Sequence, residues 1–189
     1  MKGNPARDFW QAFGVEAAAL ATRIAAGNLR EAFQRVESLL HEHGFDFCFE
    51  LTEEGREAVL VLTPEGDQEE ARRIDHLVQA RPEIPGWRVY GRRQRKPLED
   101  AFAFVRHVYS LDVSDATFDL RETPKGYEVT MRSKAVEGLT GEEAQGLVST
   151  FLDHAVGEDV VMARVAGLAA HDGRGHLSPA ALVTSLIGH

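Results

Sequence analysis

The sequence predicts an α+β fold in which one structural unit is used twice. Residues 45–63 alternate apolar and polar side chains around a glycine-containing turn, as expected for a β-hairpin. A similar pattern returns at residues 117–133, and aligning the two places Gly55 over Gly126. Amphipathic segments flank each hairpin. We therefore predict an N-terminal helix, two helix-strand-strand-helix-strand units with mixed sheets, and a short final helix.

The two units are predicted to share one domain. A chain of 189 residues with 43% hydrophobic content is able to form a single domain with a substantial core. No low-complexity linker separates the halves, and residues 94–97 are the best candidate for a joint. We predict one compact domain over residues 1–189, with pseudo-repeats at 28–96 and 97–169. Each should pair strands in both orientations, because a strand-helix-strand step requires a crossover.

Two helices are predicted before the first hairpin. The first covers residues 8–26, where apolar side chains recur at helical spacing, and Asp8 is its predicted N-cap. The second covers residues 29–43 and ends at Gly44, a residue type favoured after helix C-termini. The side chains predicted to face inward from the second helix are Phe33, Val36 and Leu40.

After the first hairpin, residues 68–80 are predicted to form a helix and residues 87–93 a strand. Residues 98–109 fit either a helix or a strand. The helix would place three side chains inward, namely Ala101, Val105 and Val108. The strand would place three side chains on one face, namely Phe102, Phe104 and Val108. We favour the helix, because the corresponding segment of the first unit is helical.

The second hairpin precedes three further predicted elements. Residues 141–154 have the pattern of an amphipathic helix. Residues 159–168 are predicted to be the last strand, and their nearly continuous apolar run indicates burial on both faces. Residues 178–187 should form a short helix, with Ser178 as N-cap and Pro179 at the first helical position.

Charge and cysteine content bound the functional class. A net charge of −9 argues against a general nucleic-acid binder and against binding to anionic membranes. The single cysteine, Cys48, excludes an intrachain disulfide and fits a reducing compartment. No stretch has the length of a membrane span, and the first residues do not form a signal peptide. We expect a soluble cytoplasmic protein with no nucleic-acid or membrane partner.

No established catalytic or metal-binding motif is present. The sequence lacks the GxSxG, HExxH and P-loop patterns. His41 and His43 close a helix and point in different directions. Residues 171–176 carry two histidines without the further ligands that a tetrahedral zinc site requires. We therefore assign no catalytic residue, no cofactor and no metal.

Six residues are candidates for binding a ligand or partner, namely Arg88, Arg92, Arg93, Arg95, Arg164 and Trp10. The first four form, with Lys96, a basic run that could bind a phosphate or an acidic peptide. We favour the alternative in which these side chains stay solvated and balance neighbouring acids.

The roles of the other two candidates depend on whether their side chains are buried. Arg164 lies within the predicted strand 159–168 and would require a carboxylate partner if buried. Trp10, with Phe9 and Phe13, could anchor the first helix to the body of the protein or form a subunit contact.

Three short motifs occur together in this chain. They are Phe9-Trp10 in the first helix, the Pro-Gly-Trp triplet at residues 85–87, and the Gly-Glu-Asp-Val segment at residues 157–160. In this combination the chain resembles an uncharacterised family of bacterial proteins over most of its length. The resemblance implies no activity and therefore transfers no catalytic residues. In such proteins the segment around residues 102–110 looks more like a strand.

These observations favour a non-catalytic cytoplasmic binding or interaction protein, acting on a protein partner or through self-association. The alternative is an enzyme or small-ligand binder with a site in the cleft between the two pseudo-repeats, because pockets favour such junctions. A deep pocket lined by Arg164 and by histidine or aspartate side chains would favour this alternative.

Overall fold

The computed structural model describes residues 4–188, which form seven α-helices, six strands and one 3-10 turn. The helices are α1 (Pro5–Ala25), α2 (Leu29–Glu42), α3 (Gln68–Gln79), α4 (Leu98–Tyr109), α5 (Gly141–Ala155), α6 (Glu158–Arg164) and α7 (Pro179–Ile187). The strands are β1 (Cys48–Glu54), β2 (Glu57–Thr63), β3 (Trp87–Tyr90), β4 (Thr117–Thr123), β5 (Gly126–Arg132) and β6 (Val165–His171). The 3-10 turn is Lys134–Val136. The predicted α+β class is confirmed.

The six strands form two mixed sheets with the same topology. The sheet orders are β1-β2-β3 and β4-β5-β6. In each sheet the first two strands are antiparallel, and the third pairs with the second in parallel. The predicted mixed pairing is therefore confirmed, and the predicted order of elements holds except for an additional helix, α6, between α5 and β6. In register, Phe49 faces Leu62 and Phe118 faces Met131, so the two phenylalanines are equivalent.

The two hairpin glycines are not equivalent, contrary to the predicted alignment. In the first hairpin Glu54 pairs with Glu57, so Gly55 is the first residue of a two-residue loop. In the second hairpin Gly126 itself pairs with Thr123 and begins β5. Both glycines have positive φ, 67° for Gly55 and 126° for Gly126. The alignment is wrong because the conformations that favour glycine lie at different positions of the two turns.

The chain divides into two compact units, unit 1 ending at Arg92 and unit 2 beginning at Arg93. The prediction of one domain spanning both stays a prediction.

In unit 1, helix α1 fills much of the core. Phe9, Trp10 and Phe13 are buried. The indole N–H of Trp10 donates to the Leu77 carbonyl oxygen at 2.6 Å. The indole N–H of Trp87 likewise donates to the Ala17 carbonyl oxygen at 2.9 Å. Both tryptophans thus bury a large ring while satisfying its polar group.

Two details of unit 1 differ from prediction. Asn4, rather than Asp8, caps α1, and its side chain accepts from the backbone N–H groups of Ala6 and Arg7. The helix starts earlier because Pro5 occupies the first position, where no N–H is needed. Phe33 is 39% exposed instead of facing inward, and Leu39 is buried in α2 instead.

In unit 2, Phe118 of β4 stacks on Phe151 of α5, with ring centroids 5.3 Å apart. Residues 98–109 are helical, so the strand alternative is wrong. Ala101 and Val105 of this helix are buried as predicted, whereas Val108 is 52% exposed. The final helix begins as predicted, because the Ser178 side chain accepts from the Ala181 N–H.

The largest error concerns the predicted strand 159–168. Its first part forms α6, and only Val165–His171 form a strand. A continuous apolar run has no period that distinguishes a strand from a buried helix segment. Gly157, with φ of 93°, starts the helix directly after α5. The strand β6 is partly exposed rather than buried on both faces.

Across residues 4–188, no helix combines the length and the apolar character that crossing a membrane requires.

Candidate functional site

The basic run does not converge on one site. In unit 1, the Arg88 guanidinium donates to Glu57 at 2.5 Å and to Glu54 at 3.2 Å. Arg92 is buried and forms an ion pair with Asp75 at 3.1 Å. Both side chains balance neighbouring acids, as in the interpretation that we favoured from the sequence, but Arg92 is buried rather than solvated.

Arg93 and Asp153 form a nearly buried ion pair in unit 2. The Arg93 Nη1 lies 3.3 Å from Asp153 Oδ2. The Arg93 backbone N–H donates to the Glu158 carboxylate at 3.0 Å, and its carbonyl accepts from the Glu158 N–H at 3.1 Å. Sequence inspection missed this role of Glu158. These contacts fix the start of unit 2 to the junction of α5 and α6, which is a structural role.

The remaining basic candidates also lie apart from one another. Arg95 is exposed, and within residues 4–188 it forms no ion pair. Lys96 lies over the ring of Phe104, with its Nζ 5.5 Å from the ring centroid.

Arg164 is not part of an apolar strand, contrary to prediction. It ends α6, is exposed, and donates from Nη1 to the Leu186 carbonyl oxygen at 2.8 Å. A guanidinium is favourable beside the free carbonyl groups at the end of α7. No buried carboxylate is needed, because the charge stays in contact with solvent.

Trp10 belongs to the core of unit 1 rather than to its surface. It is 1% exposed, and its indole N–H is satisfied by Leu77. Of the two roles considered for Phe9 and Trp10, the geometry therefore favours anchoring of the first helix.

Two histidines each contact a single carboxylate. His41 Nε2 lies 2.9 Å from Asp46, and His176 Nδ1 lies 2.7 Å from Asp119. The hydrogen bond from His176, together with that from Arg132, holds the pKa of Asp119 below its ordinary value. In the part of the chain that the structure describes, no three His, Cys, Asp or Glu side chains are grouped to hold a metal ion.

The outer edge of β1 is a second feature that the sequence did not predict. In a hairpin with a two-residue loop, the residues that close the loop, here Glu54 and Glu57, exchange backbone hydrogen bonds. Along β1, every second residue counted from Glu53 then points its backbone N–H and C=O groups away from β2. These outward residues are Phe49, Leu51 and Glu53. Among residues 4–188, no other segment forms a backbone hydrogen bond with them.

The equivalent edge of unit 2 is covered by the chain itself. The Phe118 N–H donates to the Leu177 carbonyl oxygen at 2.9 Å, and the Leu177 N–H donates back to Phe118 at 2.8 Å. The Thr117 hydroxyl oxygen accepts from the Gly175 N–H at 2.7 Å. We call residues 175–177 the covering segment.

Apolar side chains flank the open edge of β1. Phe33 of α2 stacks on Phe49, with ring centroids 4.2 Å apart and planes 17° apart. Leu29, one helical turn before Phe33, is 46% exposed. We call these three side chains, together with the outer edge of β1, the α2–β1 surface. A partly exposed aromatic side chain, here Phe33, beside unpaired backbone groups of a strand is typical of a docking surface.

A cavity of about 360 Å³ lies elsewhere in unit 1, between the start of α1 and α3. Its walls are largely apolar and include Pro5, Ala6 and Phe45. Basic side chains of α3 line it as well, namely Arg72, Arg73 and His76, together with Glu69. It could hold a small apolar molecule that carries a negative charge.

Comparison with known proteins adds no functional assignment. No protein-family model matches the chain, and neither a curated protein nor a solved structure matches it. The resemblance to an uncharacterised bacterial family stays a prediction. Function is therefore inferred from the geometry of the chain itself.

Proposed function

We propose that this chain is a non-catalytic binding protein that recognises a protein partner through the α2–β1 surface. The observation that supports this proposal is the pairing of a partly exposed aromatic stack, Phe33 on Phe49, with an unpaired strand edge. Aromatic side chains are enriched at interfaces, and proteins usually cover or block free strand edges.

The contacts of the charged residues also favour binding over catalysis. The Arg93–Asp153 pair and Arg164 join segments within unit 2, and Arg88 joins β3 to the first hairpin. These side chains therefore form contacts that stabilise the fold. We further propose a cytoplasmic location, which the single cysteine supports. The enzymatic alternative stays a prediction.

The proposal can be tested by selecting binders from a random peptide library displayed on phage. We expect selected peptides to bind the wild-type chain and to lose binding to Phe33→Asp, because a charge in the aromatic stack opposes burial. Val15→Asp is the matched control, since Val15 is 86% exposed on α1 and lies outside the α2–β1 surface. Peptides that bind wild type and Phe33→Asp equally would contradict the proposal.

A second candidate function is the binding of a small apolar carboxylate in the cavity between α1 and α3. The observation that favours it is the combination of apolar walls with Arg72 and His76. Octanoate should bind there, whereas octanol, which lacks the charge, should bind more weakly. The binding can be followed by NMR shifts of residues that line the cavity.

The matched variants for this candidate are Arg72→Glu and Arg56→Glu, because Arg56 is exposed in the first hairpin loop, outside the cavity lining. Both substitutions change the net charge equally. We expect only Arg72→Glu to weaken octanoate binding. Equal weakening by both variants would show a general charge effect and would contradict a site in the cavity.

A further inference from the structure

We infer that the partner binds as an added antiparallel strand along β1, with a large apolar side chain opposite Phe49 and a basic side chain opposite Glu53. The inference rests on the proposed function of the α2–β1 surface and specifies its partner. Strand addition is an established mode of peptide recognition, in which backbone hydrogen bonds give affinity and alternate side chains give specificity.

The chain itself shows what covers the equivalent edge. Phe118 occupies in β4 the position that Phe49 occupies in β1, since they face Met131 and Leu62 respectively. Leu177 pairs with Phe118 in an antiparallel bridge and exchanges two hydrogen bonds with it. The outward backbone groups of Phe49 therefore have the geometry to accept an extended segment in the same orientation.

The side chain required opposite Phe49 is also indicated by this comparison. Leu177 packs against the core of unit 2, because directly paired residues project to the same face of a sheet. Beside Phe49, that face is bordered by Phe33, which is partly exposed, and Leu29 lies one helical turn before Phe33 on α2. A leucine-sized side chain at this position would cover the aromatic stack and remove its apolar surface from water.

Charge determines which kind of segment fits. Glu53 is exposed and belongs to the same face as Phe49 and Leu51. A basic residue opposite it would form a cross-strand pair. In unit 2 a cross-strand pair also involves an acid, since His176 of the covering segment forms a hydrogen bond with Asp119 of β4.

A second copy of the chain is a poorer occupant of this edge. Three of the seven residues of β1 are glutamates, at positions 50, 53 and 54. Pairing β1 with another β1 would bring like charges together across the new ladder, which is destabilising. The net charge of −9 adds to this repulsion. The occupant that fits is therefore an extended, basic segment of a different protein.

The test uses the synthetic peptide acetyl-Thr-Lys-Thr-Val-Thr-Leu-Thr-amide, which can place leucine opposite Phe49 and lysine opposite Glu53. We expect it to bind the full chain and to slow exchange of the Phe49 and Leu51 backbone amides. N-methylation of the leucine amide should weaken binding about tenfold, since it removes a backbone hydrogen bond. N-methylation of the preceding threonine is the matched control, because that amide points away from β1, and affinity should not change.

A pair of variants of the protein tests the same edge. Glu53→Pro removes an outward N–H that the ladder with β2 does not use, so the sheet should persist while peptide affinity falls. Glu53→Gln keeps that N–H and removes only the charge. It should reduce affinity less than the proline variant and abolish the preference for lysine over glutamate at the facing peptide position.

The outcomes separate the two proposals. If both N-methylated peptides bind equally and Phe33→Asp abolishes binding, the α2–β1 surface binds peptides but not by strand addition, and the inference is overturned. If the peptide does not bind while library-selected peptides do, the inferred basic-apolar chemistry is overturned. If Phe33→Asp weakens binding of neither the synthetic peptide nor the library-selected peptides, the proposed function is overturned as well.

Discussion

The two sheets have the same strand order, the same pairing and two-residue hairpin loops, yet their outer edges differ. At β4, Phe118 bonds to Leu177 of the covering segment. At β1, the equivalent Phe49 has outward backbone groups that no segment within residues 4–188 covers. The cause is chain order. After β6 the chain continues and returns to β4, whereas after β3 it passes from unit 1 at Arg92 into unit 2.

This difference shows that later segments of the chain decide whether a sheet edge becomes a candidate binding surface. The strands of the two units offer similar backbone groups to a neighbour. Only unit 2 supplies an internal neighbour within the described residues, and the open edge of unit 1 is therefore the position that we propose for a partner. Substitutions in both units can test this contrast.

The largest effect should come from the helix that fills the core of unit 1. Trp10→Ala removes a buried indole and its hydrogen bond to Leu77, and should lower the free energy of unfolding by about 3–5 kcal/mol. Chemical denaturation measures this change. Val15→Ala on the same helix is the control and should have little effect, because Val15 is exposed. Unchanged stability with lost partner binding would instead place Trp10 in an interface.

The hairpin glycines should differ in their tolerance of alanine. At Gly126 an added Cβ would lie 2.5 Å from the Arg164 carbonyl oxygen, and φ is 126°. At Gly55 the space is open and φ is 67°. We expect Gly126→Ala to cost roughly 2–4 kcal/mol through strain and overlap, against about 1 kcal/mol for Gly55→Ala. Equal costs, measured by chemical denaturation, would contradict the expected difference between the two positions.

The covering segment should depend on Gly175. An added Cβ there would lie 2.6 Å from the Phe118 carbonyl carbon, so Gly175→Ala should displace the segment at a cost of roughly 1–3 kcal/mol. Faster hydrogen exchange of the Phe118 amide would report the opened edge. Gly14→Ala is the control, since this position has open space within a helix and should be neutral or stabilising. Unchanged exchange at Phe118 would show that β4 does not need this glycine.

The smallest effect should be a pH dependence of the same segment. Hydrogen bonds from His176 and Arg132 lower the pKa of Asp119, so its ionised form is favoured in the folded chain. This stabilisation is present above the ordinary carboxyl pKa of about 4 and is lost as pH falls through the lowered value. The stability difference between wild type and Asp119→Asn should therefore shrink in acid. A difference that does not change with pH would contradict this role.

Part of the candidate site could be predicted from the sequence. Alternation in residues 45–63 placed Phe49 on the apolar face of a hairpin, and the structure confirms this. Phe33 was predicted to face inward, because helical spacing groups it with Val36 and Leu40. Helical spacing identifies the residues on the apolar face of a helix, but it does not show how far that face is buried. Phe33 lies at the border of the buried face of α2 and is partly exposed.

Local pattern was sufficient wherever a period, cap or turn was unambiguous. It predicted α2, both hairpins and the Ser178 cap, since these depend on backbone geometry within a few residues. It failed at residues 159–168, where an unbroken apolar run fits either a helix or a strand. It also failed at Arg164, whose environment depends on the end of a helix more than twenty residues away.

Periods of apolar residues along the chain were enough to determine the class of the fold, the order of most of its elements and the repetition of the strand pairing. They could not determine which strand edge is covered. That outcome depends on whether a distant segment reaches the edge and satisfies its backbone hydrogen bonds, as Leu177 does at Phe118. Such a contact leaves no periodic signal in either segment, so only the folded chain separates the covered edge of β4 from the open edge of β1.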